Sequence, residues 1–238
     1  MQIKIIKCLQ DNYSYIIIDN NNNACVVDPS ESDPVIKYLE ENKINLKFIL
    51  NTHHHYDHVG GNKELKKKYN AKVLGYINDK ERIPEIDIFL KNKEIWNTDS
   101  FKFQIFHIPG HTSGHICYYF KNEKFLFTGD TLFSLGCGRI FEGTYEQMFS
   151  SLQLFKSFPK DTKIFCGHEY TLKNSEFCKK YDPKNKKLDN RILEIKNILS
   201  KGLPTIPTTI EDELDCNIFL RSGDLETFSK LRDLKDNF

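Results

Sequence analysis

The ten residues from Thr52 to Gly61 read THHHYDHVGG, and within them His53, His55, Asp57 and His58 form the pattern His-x-His-x-Asp-His. Four imidazole and carboxylate donors in six residues are too dense for a packing role, because each costs free energy when buried without a partner. Their chemistry is that of metal ligands. A solvated His-rich surface loop is the bland alternative, and the flanks argue against it. Leu46 to Asn51 (LKFILN) is short and apolar enough for a buried strand. On the other side Gly60-Gly61 permits a tight turn, and Asn62 is placed to cap the Lys-rich helix that follows. The donors therefore stand between a strand end and a helix start.

Three more candidates each follow a strand. His111 lies beyond Phe101 to Ile108, Asp130 beyond Phe125 to Phe127, and His168 beyond Ile164 to Cys166. Loops at one end of a rigid sheet can bring such distant residues together. The set is five histidines and two aspartates: His53, His55, Asp57, His58, His111, Asp130 and His168. That is too many for one tetrahedral zinc. It suits two divalent metals with one shared carboxylate, and positions left open for water and substrate. Imidazole mixed with carboxylate suits zinc first, also iron or manganese, and argues against copper(I).

Neighbouring candidates read differently. His54 sits between two donors, so its side chain points elsewhere. His107 continues the phase of Phe101, Phe103 and Ile105, as a core or edge residue would. His115 suits a role orienting the loop of His111, and Asp28, at another strand end, suits a hydrogen bond to a ligand. Cys137 and Cys166 lie near the motifs, but a metal site makes a thiol nucleophile unnecessary, so both read as packing residues.

The elements that must hold these residues follow from periodicity. Ile3 and Ile5 alternate with polar residues, and Tyr15 to Ile18 is a more buried strand, with Asp11-Asn12 turning between them. Ala24 to Val27 is apolar and ends at Asp28. Asp33-Pro34 predicts a helix start with Asp as cap, and Val35 and Leu39, with Ile36, give that helix one apolar face. Ala71 to Gly75 reads as a strand, and Asp79 to Asn97 is ambiguous. Phe101, Phe103 and Ile105 mark a strand; Ile116 to Phe120 and Lys124 to Phe127 read as a hairpin around Lys121-Asn122. Thr144 and Gln147 predict a capping box for a helix buried through Tyr145, Met148, Leu152 and Phe155. From about Tyr170 strand signals disappear. Leu188, Ile192, Ile195 and Leu199 mark an amphipathic helix closed by Gly202 and Pro204; Thr208 and Glu211 suggest another capping box; Asp224 caps a last helix. The expectation is an α+β catalytic domain over residues 1–169 and a small helical domain over 170–238.

Composition sets the bounds. The chain has 238 residues, enough for one large domain with an appendage. A formal charge of +1 gives no overall sign of a nucleic-acid or acidic membrane partner. The seven cysteines are scattered and never spaced Cys-x-x-Cys, which argues against a disulfide framework and a zinc ribbon. Free thiols fit a reducing compartment. The N-terminal apolar stretch is too short and interrupted for a signal or a span, so the cytoplasm is expected.

THHHYDH, PGHTSGH at Pro109, FTGDTLF at Phe127 and CGHEYT at Cys166 resemble the metallo-β-lactamase fold. DNYSY at Asp11, GCGRIFEGT at Gly136, HEYT at His168, NIFLR at Asn217 and RDLKDNF at Arg232 resemble, more narrowly, glyoxalase II, or hydroxyacylglutathione hydrolase. The resemblance covers almost the whole chain. It implies an αββα sandwich carrying the metals and a helical domain that helps bind glutathione. It implies that His53, His55 and His111 hold one metal, that Asp57, His58 and His168 hold the other, and that Asp130 bridges them. It places Arg139, Tyr170, Arg232 and Lys235 against the glutathione part. Phe141 stands where some members carry Tyr, which removes a hydroxyl contact, and Ile218 stands where Asn-Pro-Phe is commoner.

The activity implied is hydrolysis of an S-(2-hydroxyacyl)glutathione, with S-D-lactoylglutathione as the family's substrate in methylglyoxal detoxification. Paired metals lower the pKa of a bridging water from ~15.7 to about 7, and Asp57 is the residue expected to orient the resulting nucleophile. The partner expected is the glutathione thioester alone, on a monomer with neither nucleic acid nor membrane. An iron-dependent persulfide dioxygenase shares the fold and a GCGR-like segment, but His168-Glu-Tyr-Thr and the basic C-terminal arm point away from it. An inert metal-binding module would close each metal with four ligands and leave no open position.

Overall fold

The computed structural model describes all 238 residues. The chain forms two compact units, residues 1–107 with 114–123, and residues 108–113 with 124–238.

In the first unit the elements are β1 (Gln2–Cys8), β2 (Asn12–Ile18), β3 (Asn23–Val27), α1 (Asp33–Glu41), β4 (Asn45–Leu50), the short α2 (Tyr56–Val59), α3 (Asn62–Tyr69), β5 (Lys72–Tyr76), β6 (Ile88–Leu90), β7 (Ile95–Asn97), β8 (Lys102–His107) and β9 (Ile116–Phe120). One sheet runs β1-β2-β3-β4-β5-β6. Its first three strands pair antiparallel and the rest parallel. Helical crossovers must cover a face of a parallel sheet. Here Val35 and Leu39 of α1 and Leu65 of α3 pack on Ala24, Val26, Ile49 and Val73. Burying Leu65 stabilises α3 by roughly 1.5–3 kcal/mol. Lys66, Lys67 and Lys68 in its last turn contribute through the helix dipole only about 0.3–1 kcal/mol each. The three together are of the same order as the Leu65 contribution, but the dipole acts wherever the helix lies, so packing decides where this Lys-rich helix sits. Strands β7, β8 and β9 pair antiparallel, with Phe103 packed between Trp96 and the rings of Tyr118 and Phe120.

Several local expectations shift. The β1–β2 turn falls at 9–11 rather than at Asp11-Asn12, with Leu9 at φ +49°, so β2 already begins at Asn12. The cap of α1 is Ser32, and Asp33 is the first helical residue, where a carboxylate suits the dipole. Gly61, not Asn62, caps α3. Asn62 is drawn inward instead, donating to Asn51 Oδ1 and the Pro84 carbonyl. The ambiguous stretch from Asp79 contains the end of a 3-10 turn (Ile77–Asp79), β6 and β7.

In the second unit β10 (Phe125–Gly129), β11 (Leu132–Phe133), β12 (Gly136–Cys137), α4 (Tyr145–Phe155) and β13 (Lys163–Cys166) are followed by α5 (Thr171–Tyr181), α6 (Lys186–Ser200), β14 (Thr208–Thr209), α7 (Ile210–Cys216), α8 (Ile218–Arg221) and α9 (Leu225–Asp236). β10 runs parallel to β13, and β14 antiparallel to it. The Thr144–Gln147 capping box forms as expected, although Tyr145 is only half-buried and its hydroxyl donates to Asp233. The α7 box is Thr209 with Asp212, one residue later than Thr208 with Glu211. Thr208 is held back in β14, opposite Ile164. A two-residue strand thus does occur beyond Tyr170. Phe177, Phe219 and Phe228, all fully buried, form the helical core. No helix is long and apolar enough to cross a membrane.

Candidate metal centre

Each unit gathers its own donors. In the first, β3 ends at Asp28, which takes φ +47° and is buried. Its Oδ1 accepts from the Thr52 amide at 2.7 Å; its Oδ2 accepts from Thr52 Oγ1 at 2.7 Å and from His58 Nδ1 at 3.0 Å. The donor loop is thereby fastened to the neighbouring strand end. Asn51, at the end of β4, adds a bond from its Nδ2 to the His58 carbonyl at 3.1 Å. Ligand atoms of Asp28, His53 and His58 lie within 4.8 Å of one another. Asp28 is taken up by three hydrogen bonds, one of them to the candidate ligand His58.

The tautomers follow from proton counting. Thr52 Oγ1 has one proton and gives it to Asp28, so it accepts at its 3.0 Å contact with His53 Nδ1. That puts the lone pair of a neutral His53 on Nε2. By the same logic the Asp28 carboxylate takes the His58 Nδ1 proton, leaving the Nε2 lone pair to face a metal. His53 Nε2 stands 3.2 Å from His55 Nδ1. Two nitrogens on one tetrahedral zinc, each at ~2.0–2.1 Å, would be about 3.3 Å apart. Asp57 is half-buried, and Asn12 Nδ2 donates to both its Oδ2 and its carbonyl at 3.0 Å. Asp57 Oδ2 lies 3.6 Å from His58 Nε2. His115 is fully buried and stacks on the His53 ring, centroids 4.6 Å apart, so its contact is with His53 rather than the expected one with the loop of His111. His54 turns away to Asp79 and Arg82, and His107 stacks on Tyr76.

In the second unit His111, Asp130 and His168 converge. Asp130 Oδ2 lies 3.5 Å from His111 Nε2 and 3.3 Å from His168 Nε2. His111 Nδ1 donates to the Arg139 carbonyl at 2.8 Å, since a carbonyl can only accept. All three are at least nine-tenths buried. The His168 ring is stacked on Tyr170 at 4.7 Å, and Tyr170 in turn meets Phe133 edge-on. Gly138 has to be glycine: a Cβ there would stand 1.9 Å from the Asp130 carbonyl oxygen.

The expected substrate residues divide by exposure. Arg139, Phe141 and Tyr170 are exposed. Arg232 is buried, donating to the Cys137 carbonyl at 2.8 Å and to Asp236 at 2.9 Å. Lys235 is half-buried between the Phe177 and Phe238 rings, each 5.1 Å away. Burial, with Arg232 and Lys173 nearby, lowers its pKa to about 8. The two cations on the α9 face are thus not a solvated surface. All seven cysteines are buried and unbridged. Burial pushes the Cys137 thiol up against the opposing pull of Arg232, and the Cys166 thiol up to about 12. Neither is an activated nucleophile.

Sequence reasoning missed Asn51 and Asn62, the fully buried Asp79, and Glu213, which receives bonds from the Leu135 amide, Thr208 and Asn217. Asn51 closes an apolar stretch and so gives a local signal; Asn62, Asp79 and Glu213 stand beside polar neighbours and give no sign of their buried roles.

The donor set and the fold define the class. The metallo-β-lactamase superfamily model matches residues 9–168, and the chain has that superfamily's αββα architecture with a helical C-terminal domain. Solved structures share the fold at low identity. A B3 metallo-β-lactamase, BLEG-1, aligns with TM-score 0.73 at 22% identity, covering 93% of this chain and all of its own. ETHE1 from Myxococcus xanthus aligns with TM-score 0.75 at 23% identity, covering 98% of this chain and 90% of its own. The model of the hydroxyacylglutathione hydrolase C-terminus matches residues 169–238. A hydroxyacylglutathione hydrolase of Pelagibacter ubique is 66% identical over the full length of both chains, and one of Prochlorococcus marinus is 44% identical over 97% of this chain and 94% of its own. The chain belongs to the hydroxyacylglutathione hydrolase family, as its motifs imply.

Proposed function

We propose that the chain hydrolyses S-(2-hydroxyacyl)glutathione, with S-D-lactoylglutathione as preferred substrate, to a 2-hydroxy acid and glutathione. The observation that supports this best is the full-length 66% identity to a hydroxyacylglutathione hydrolase, joined to a donor set that fits divalent metal. The proposed ligands are His53, His55 and His111 for one ion and Asp57, His58 and His168 for the other, with Asp130 between them. Zinc fits these donors first, and iron or manganese also fits. A metal pair held there supplies an activated water and a Lewis acid near neutral pH.

The residues of the chain do the rest. Asn12 holds the Asp57 carboxylate by one oxygen, so that Asp57 orients the nucleophile. Tyr170 and Phe141 confine the substrate beside His168 and His111. Arg139 and Lys235 meet the anionic glutathione part, and Arg232 supports them from beneath. The leaving group is a thiolate acidic enough to depart with little proton help. Residues 1–169 act as the catalytic domain and 170–238 as the substrate-binding domain of a cytoplasmic monomer in methylglyoxal detoxification.

The decisive experiment is a steady-state assay with S-D-lactoylglutathione alongside metal analysis. Turnover that needs about two metals per chain is expected. No turnover, with oxygen consumed on glutathione persulfide instead, would overturn the reading in favour of a dioxygenase.

A further inference from the structure

The segment Cys137 to Arg139 lies between two proposed ligands and the end of α9. On one side the Arg139 carbonyl accepts from His111 Nδ1 at 2.8 Å, and the His111 carbonyl accepts from the amides of Phe141 and Glu142. Gly138 donates its amide to Thr131 at 3.2 Å and packs on the Asp130 main chain. On the other side Arg232 Nη1 donates to the Cys137 carbonyl at 2.8 Å and reaches the Gly138 carbonyl at 3.5 Å. Asp236 Oδ1 accepts from Arg232 Nη2 at 2.9 Å and from Arg139 Nε at 3.2 Å.

We propose that Arg232, held in place by Asp236, is a positioning residue for His111, acting through the backbone of Cys137 to Arg139. The β11–β12 pairing and the Gly138 amide hold one side of the segment, and Arg232 holds the Cys137 and Gly138 carbonyls on the other. A buried guanidinium cannot leave its acceptors cheaply, so the carbonyls it binds are held where they are. The carbonyl of Arg139, which accepts the His111 Nδ1 proton and so sets its tautomer, is thereby held in place. Groups in this outer position typically change metal affinity by 10–100-fold when lost. The competing explanation is an ordinary i,i+4 helix pair between Arg232 and Asp236, which would stabilise α9 and leave the metal site unaffected.

The proposal rests on the metal reading above, and its test separates the two. Cobalt(II) affinity is measured on the full chain by chelator competition, together with the visible ligand-field spectrum, with no substrate present. Arg232→Lys keeps the charge but loses the forked donor geometry. It is expected to bind cobalt at least about tenfold more weakly with an altered spectrum. Asp236→Asn should move both in the same direction by less, and Asp236→Glu should restore most of the loss. Circular dichroism establishes that each variant is folded, and the two sites give independent routes should one variant fail. Folded Arg232→Lys and Asp236→Asn proteins with wild-type cobalt affinity and spectrum would overturn the proposal. Wild-type protein that takes up no cobalt would overturn the metal reading itself, and this proposal with it.

Discussion

Asp130 shows how one side chain can carry an electrostatic argument. A neutral His111 gives its Nδ1 proton to the Arg139 carbonyl, so its Nε2 lone pair faces Asp130 Oδ2 at 3.5 Å, and His168 Nε2 approaches the same oxygen at 3.3 Å. A lone pair against a carboxylate is repulsive unless a cation stands between them. Asp130→Asn keeps the shape and removes the charge. Metal content should fall and activity drop by at least ~100-fold, more than loss of an outer-shell group alone. Atomic absorption and kcat on the same preparation check this; a fully active variant would refute the bridging role. The cysteines make the opposite case. With thiols raised by burial, Cys137→Ala and Cys117→Ala should keep most of kcat and lose about 1 kcal/mol of stability through packing. Trapping an acyl group on either thiol by mass spectrometry would contradict that.

Among the elements, α7 has the most pH-sensitive anchor. Glu213 is fully buried, and burial raises its carboxyl to about 7 despite bonds from Thr208, Asn217 and the Leu135 amide. Against its ordinary value of 4.5 the gap corresponds to roughly 3 kcal/mol. The sign follows from linkage. Between the unfolded and folded pKa values the native state holds more protons, so this contribution is fully present below about 4.5 and is lost as pH rises through about 7. Glu213→Gln cannot ionise. Denaturant titrations of both proteins should therefore show the variant gaining on the wild type between pH 5 and pH 8, and a difference independent of pH would be wrong for this account. Nothing in the sequence marks Glu213, because the bond from the Leu135 amide comes from far earlier in the chain and Thr208 and Asn217 are ordinary polar neighbours. What was legible has a local cause. The metal loop could be read because ligand chemistry compresses into His-x-His-x-Asp-His, and the Thr144–Gln147 box because a cap involves residues three apart. The α7 box shifted by one residue because β14 claims Thr208, a tertiary pairing no local pattern contains. The pattern around Asp79 stayed ambiguous since β6 and β7 are three residues each, too short for any periodicity.

At the scale of the molecule, the proposed function assigns recognition of the glutathione part to the helical C-terminal domain. Lys235 is the residue on which that role turns. Its Nζ is buried, has no hydrogen-bond partner and sits between two aromatic rings. The ammonium has lost water and gained only weak ring contacts, and Arg232 and Lys173 push further against its charge. A carboxylate that displaces the Phe238 ring would restore a partner at low cost, as that residue is 42% exposed. Contacts to the end of glutathione remote from the scissile bond act alike on ground and transition states, so they govern KM rather than kcat. Lys235→Ala should raise KM for a glutathione thioester roughly 10- to 100-fold, about 1.4 to 2.8 kcal/mol, and leave a small thioester lacking glutathione unaffected. The pKa adds a second signature. As pH rises through about 8 the lysine loses its charge, so wild-type KM should climb there, whereas Lys235→Arg, which stays charged, should stay level. Initial-rate kinetics from pH 6.5 to 9.5 on the three proteins with both substrates provide the test. Equal KM values for Lys235→Ala and wild type, or loss of both substrates alike, would remove Lys235 from the glutathione site and leave recognition to the exposed Arg139 and Tyr170.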